Sequence, residues 1–280
     1  MRQDHVETGE QFGVQESAYR TMASTLKVPI GVTLFDQVDK AHVDLEAMHS
    51  FKPADMRMGG WLTEPLVGRK GHIQLSTYTV IDAALRVSDN AAWLKMVDIL
   101  GGIEPVGAFL ASHQLAEIRC THSIYDTSLT ELLRSWGYEK KVPPSRLTAA
   151  ERQILIERYY TEDRDACTPR GMADLLEKLH RGDLLSQDST KLILGIMQRC
   201  ETSQAKLRAL LPPNVVVMDK TGSIGDILSC DIGIITLPND RGTIVVALFA
   251  RAPDAGSAKL DSVAAHVGRL VYDCFVARRQ

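Results

Sequence analysis

The chain has 280 residues, 45% of them hydrophobic and 24% charged, the composition of an ordinary globular protein with room for one large domain or two smaller ones. Thirty-two Lys and Arg against 35 Asp and Glu leave a formal net charge of −3, so there is no overall positive field to hold a phosphate backbone or an anionic membrane, and nucleic acid is not an expected partner. No run approaches the roughly 18 consecutive apolar residues a membrane span needs.

Cysteines stand at 120, 167, 200, 230 and 274. They are odd in number and widely spaced, which fits neither a disulfide scaffold nor paired metal knuckles, so they read as mostly buried thiols. The eight histidines are scattered with no H-E-x-x-H, and neither a metal nor a cofactor is expected. The first twenty residues carry charges throughout and no apolar h-region, so this start shows no secretory signal.

From Ser24 to about Lys40 the apolar residues occupy nearly every face, predicting a helix buried on most sides, with Pro29 near its start. A second helix is predicted from Ser76 to Val87 and a third from about Asn90 to Gly101-Gly102, with Ser88-Asp89-Asn90 between them. Thr148 is a possible cap; Thr168-Pro169 reads as cap and first-turn proline of a helix whose stripe Met172, Leu175, Leu176, Leu179 ends at Gly182. Residues 24–205 thus read as a mostly helical domain. After Pro212-Pro213 come short β-branched runs at Val215–Val217, Ile232–Leu237 and Thr243–Phe249, the last two joined by a hairpin turn at Pro238–Gly242. They predict an antiparallel sheet, covered by an amphipathic helix from Leu260 to Phe275. Residues 1–23 and 206–280 would make this second, sheet-and-helix domain.

Three motifs occur in order: Ser24-Thr25-Leu26-Lys27, Ser88-Asp89-Asn90 and Lys220-Thr221-Gly222. An S-x-x-K is expected roughly once by chance in a chain this long, but the ordered trio only about once in a thousand. A second S-x-x-K, Ser203 to Lys206, lies in a polar segment and reads as a solvated helix face. With ASTLKVPI (23–30), RVSDN (86–90), TPRGMADLL (168–176) and DKTGS (219–223) around the motifs, the chain from about residue 8 onward resembles the class A β-lactamase family within the penicillin-binding, D-Ala-D-Ala peptidase-like serine hydrolases. The resemblance implies an α+β fold: an antiparallel sheet flanked by helices plus an all-helical domain.

The residue types suit that chemistry. A serine hydroxyl needs a neighbouring base, and an i, i+3 spacing puts Lys27 on the face of Ser24. Lys27 works as a base only if partly neutral, which burial and the charge of Lys220 would both favour. The backbone N–H groups of Ser24 and Ser223 would form an oxyanion hole. By resemblance, Ser88 would pass a proton to the leaving nitrogen, Asn90 would hold the substrate's side-chain amide, Asp89 would brace the turn, and Lys220 and Thr221, followed by Gly222, would bind a substrate carboxylate. The expected substrate is a β-lactam or an acyl peptide, which links the chain to antibiotic resistance and β-lactam catabolism. The expected form is a monomer. A D-Ala-D-Ala peptidase or esterase, or a sensor that acylates once without turnover, are the rival readings.

Two departures stand out. The family's deacylating Glu has no matching pattern, because the stretch from about Asp126 to Asp165 is longer than the resemblance implies. Glu151 is nearest to the expected place but also completes a capping box with Thr148, and Glu157 and Glu162 are weaker candidates. At the other end, only 23 residues precede Ser24. Thr8-Gly9-Glu10 reads as a hairpin turn, which leaves one following strand and no room for the earlier strand or helix. The expectation is a true start farther upstream, with a periplasmic or secreted destination if it encodes a signal peptide. Of the remaining features, Trp61 could border the cleft or pack inside. Asp36, Asp39, Asp44 and Glu46 read as a solvated helix exit, and Asp231 and Arg241 as surface charge.

Overall fold

A computed structural model describes residues 1–56, 60–121, 148, 150, 154, 163–224, 228–252 and 255–277. The strands are β1 (Arg2–His5), β2 (Glu10–Gly13), β3 (Arg20–Thr21), β4 (Met48–Phe51), β5 (Ile73–Ser76), β6 (Ile118–Cys120), β7 (Asp165–Cys167), β8 (Val217–Ile224), β9 (Leu228–Thr236) and β10 (Thr243–Arg251). The helices are α1 (Lys27–Asp39), α2 (Thr63–Lys70), α3 (Thr77–Arg86), α4 (Asn90–Ile99), α5 (Glu104–Ser112), α6 (Pro169–Arg181), α7 (Gln187–Gln198) and α8 (Ser257–Ala277). Five strands form an antiparallel sheet in the order β2-β1-β10-β9-β8.

The period-2 alternation of the β-branched runs sorts side chains onto the sheet's two faces. Val245, Ala247 and Phe249 of β10 join the main core with Cys230, Ile232 and Ile234 of β9. Ile244, Val246 and Leu248 point the other way, into a second cluster with Ala264, Val271, Tyr272 and Phe275 of α8. The central helix α1 has every residue from Lys27 to Asp36 buried, and Pro29 sits in its first turn, where a missing N–H is tolerated. Thr168 caps α6 by accepting from Gly171 N, and Gly182 ends it in the left-handed region at φ 78°. The fold is thus the sheet with flanking helices, plus a helical domain, that the sequence implies.

Two sequence expectations need correction. The strand thought to have no room is present: β1 precedes the Thr8-Gly9-Glu10 turn and pairs with β10 inside the sheet, Arg2 opposite Ala247 and His5 opposite Ile244. Its four residues, RQDH, are all buried and carry no apolar signal, because Arg2 and Asp4 pair with each other at 2.6 Å while His5 stacks on Phe275 at 4.8 Å. The stretch from 24 to 205 also holds strands, β4 with β5 and β6 with β7. Finally, within the expected solvated helix exit Asp36 is buried and pairs with Lys40 at 2.7 Å, whereas Asp39 is exposed but not idle. Its carboxylate accepts from Ser186 N at 2.7 Å, Ser186 Oγ at 2.7 Å and Ser189 Oγ at 2.6 Å, tying the end of α1 to the start of α7.

Candidate active site

Ser24 lies in a 3-10 turn, Ala23–Leu26, that leads directly into α1. Ala23 adopts φ 47°, and this kink sets the turn against the edge strand β8. A Cβ on Gly222 would stand 3.0 Å from Met22 O and 3.1 Å from the Ser24 nitrogen, so the absence of a side chain at 222 is what lets β8 approach the serine. Thr25 Oγ1 donates to Met22 O at 2.7 Å and holds the turn.

Asp89 fixes the middle motif. Its carboxylate caps α4 by accepting from Ala92 N at 2.9 Å, and it also accepts from Leu62 N at 2.9 Å, Thr63 N at 2.8 Å and Thr63 Oγ1 at 2.9 Å. The bracing role expected of this residue is thus visible as a clamp between two segments. Ser88, just before it, is held at φ 61°, a region that costs a non-glycine residue free energy of order 1 kcal/mol or more. That twist offers both its carbonyl and its hydroxyl to the lysines.

Lys27 and Lys220 converge on Ser88. Lys27 Nζ donates to Ser88 O at 2.7 Å, Ser88 Oγ at 3.2 Å and Asn90 Oδ1 at 2.8 Å. Lys220 Nζ donates to the same Ser88 Oγ at 2.9 Å and to Thr221 O at 2.7 Å. Both lysines are fully buried. Burial lowers the Lys27 pKa well below the usual lysine value, the charge of Lys220 lowers it further, and Asp89 partly opposes both. Burial likewise lowers Lys220, to about 8. Two amines of reduced basicity joined through one hydroxyl form a path for a proton. Among the described residues Ser24 Oγ has no hydrogen-bond partner, so the expected Ser24–Lys27 pairing stands as shared placement beside β8 rather than as a formed bond.

The third motif has a supporting layer that the sequence reading missed. Lys206, read as part of a solvated helix face, is buried along with Ser203. Its ammonium donates to Gly222 O at 3.0 Å and Ser223 Oγ at 2.7 Å and pairs with Asp261 at 3.5 Å, because the polar segment folds down onto β8. Asp231, read as surface charge, is also buried and accepts from Leu207 N at 3.0 Å. Arg241 donates to Val276 O at 2.5 Å at the end of α8. Arg208 grips Asp219 at 2.6 Å and Val217 O at 2.8 Å, holding β8 from behind. The only sequence clue was the second S-x-x-K itself, whose lysine is a buried donor with partners although the Ser203 hydroxyl has none among the described residues.

Other expected residues fall as follows. Ser223 is exposed at the end of the strand, opposite Ser229, and Asn90 opens α4. The Trp61 side chain is 70% exposed and directly precedes Leu62, whose N–H bonds Asp89, so it is not packed inside. Glu151, Glu157 and Glu162 lie outside the described residues. Of the five cysteines, 120, 167, 200 and 230 are buried thiols and Cys274 is exposed.

The family model described as Beta-lactamase enzyme family matches residues 3–275. β-Lactamase VEB-1 of Pseudomonas aeruginosa is 22% identical over 262 residues, covering 91% of this chain and 78% of its own. A β-lactamase of Citrobacter koseri is 26% identical over 250 residues, covering 89% and 74%. The solved structure of an ancestral class A β-lactamase, GNCA, superposes with a TM-score of 0.80 at 26% identity, over 98% of this chain and 92% of that one. The fold and these matches together define the class: the chain belongs to the class A β-lactamase family.

Proposed function

We propose that the protein is a serine hydrolase that opens a β-lactam amide through an acyl-enzyme on Ser24. The observation that carries this reading is the convergence of Lys27 Nζ and Lys220 Nζ on Ser88 Oγ, at 3.2 and 2.9 Å. In the proposed cycle Lys27, made neutral by burial, takes the proton of Ser24 as its oxygen adds to the carbonyl carbon. The backbone N–H groups of Ser24 and Ser223 stabilise the oxyanion. When the carbon–nitrogen bond breaks, Ser88 gives its proton to the nitrogen and regains one from Lys27. Lys220, with Thr221 and the strand geometry set by Gly222, holds the substrate carboxylate, and Asn90 holds its side-chain amide.

Water then releases the acyl group. Glu151 is the proposed base for that step, and its loss should stall release by about 10²–10⁴-fold. Hydrolysis of a chromogenic cephalosporin, followed with the wild type and Ser24→Ala, tests the reading. Turnover by the wild type that vanishes in Ser24→Ala supports it. Colour at equal rates in both proteins, or in neither, overturns it. One stoichiometric equivalent of product with no further turnover would support the binding-protein or sensor alternative.

A further inference from the structure

Thr221 and Ser223 lie on the same face of β8 and look onto the 200–206 segment rather than toward Ser88. The Thr221 hydroxyl lies 2.5 Å from Thr202 Oγ1, and Thr202 Oγ1 lies 3.3 Å from Cys200 Sγ. Cys200 is 2% exposed and Thr221 5%. The three groups form a chain of hydrogen bonds that can run in either direction. We propose that Cys200 and Thr202 are positioning residues which orient the Thr221 hydroxyl as a hydrogen-bond donor, and thereby set the preference of the site for substrates bearing a free carboxylate. This rests on the reading that the carboxylate binds at Lys220 and Thr221.

The buried Cys200 thiol can donate its hydrogen to Thr202 Oγ1, 3.3 Å away. Burial also keeps Cys200 in its protonated form by raising its pKa. With S–H donating to Thr202, the Thr202 hydroxyl donates to Thr221, and the Thr221 O–H is left free to donate to a bound carboxylate. Reversing the chain would present an oxygen lone pair to an anion. A carboxylate rewards the first direction and penalises the second.

The test compares a penicillin with its methyl ester, reading the second-order rate constant for acylation by intact-protein mass. For the acid, Thr202→Val should lower that constant by about tenfold, the range of one charge-assisted hydrogen bond, and Cys200→Ala should lower it in the same direction. Thr202→Ser and Cys200→Ser, which keep a donor in place, should restore it. For the ester none of the four should differ from wild type by more than about twofold. Equal losses on acid and ester, or no loss on either in Thr202→Val, would overturn the proposal. Wild type that acylates with neither compound overturns the acyl-enzyme reading itself and takes this inference with it. Wild type that acylates equally with both overturns the carboxylate reading, and this inference with it, while the acyl-enzyme reading stands.

Discussion

Asp89 shows how one carboxylate can decide a site it does not face. Three backbone N–H groups and the Thr63 hydroxyl point at it. Asp89→Ala leaves those buried donors without an acceptor, at about 1–3 kcal/mol each before relaxation. Urea denaturation should show a loss on the order of 4 kcal/mol, and Asp89→Asn, which keeps one oxygen, a smaller one. Ser88→Ala removes the hydroxyl shared by the two lysines without touching the clamp. It should cut acylation by about 10²–10⁴-fold while the urea midpoint stays close to wild type. The pH dependence follows from Lys220. Its pKa in the folded protein is about 8, so the charged form that attracts a carboxylate is present below pH 8 and lost above it. The value of kcat/KM for an acidic substrate should therefore fall tenfold per pH unit beyond about 8. A profile flat to pH 10 would contradict this.

At the scale of elements, what the site needs is that β8 sit close to the serine turn and stay there. The helix α8 contributes through Gly268, where a Cβ would lie 2.7 Å from Leu207 O, next to the lysine that bonds Gly222 and Ser223. Gly268→Ala should cost about 1–3 kcal/mol by overpacking, measured as a lowered urea midpoint. The long elements were legible because their patterns are strong: Met172, Leu175, Leu176 and Leu179 at helical spacing, and the β-branched run Thr243-Ile244-Val245-Val246 that opens β10. The strand β1 was not, since RQDH is buried through ion pairing and stacking rather than through apolar side chains. Lys206 and Asp231 were misread for the same reason. A buried charge and a solvated one are the same letter in a sequence, and only the fold supplies the partner. The three motifs, by contrast, were readable because their chemistry constrains residue type at fixed short spacing, although the meeting of Lys27 and Lys220 at one hydroxyl is a tertiary fact.

Over the whole molecule, the sheet carries a stability term that opposes the usual sign for an acid. Asp4 is buried on β1, with one oxygen on Arg2 and the other lacking a partner among the described residues. Burial pushes its pKa up from 3.8 to about 6. The folded state therefore binds more protons than the unfolded chain between those values, and this group's contribution to stability is lost as pH rises from about 4 to 6. The shift corresponds to an amount on the order of 3 kcal/mol. Asp4→Asn should flatten that part of the stability profile, as read from urea midpoints at pH 4, 5, 6 and 7; a slope equal to wild type would count against it. The same sheet places Lys220 opposite the Ser24 turn, so any loosening of β1 or β10 would reach the site through β9 and β8.

The most direct measurement of the central claim is peptide mapping of the protein quenched in acid seconds after mixing with a penicillin. The account predicts a mass increase equal to the intact penicillin on the peptide containing Ser24, absent in Ser24→Ala and slowed in Ser88→Ala. An adduct on another residue, or none at any quench time, would contradict it.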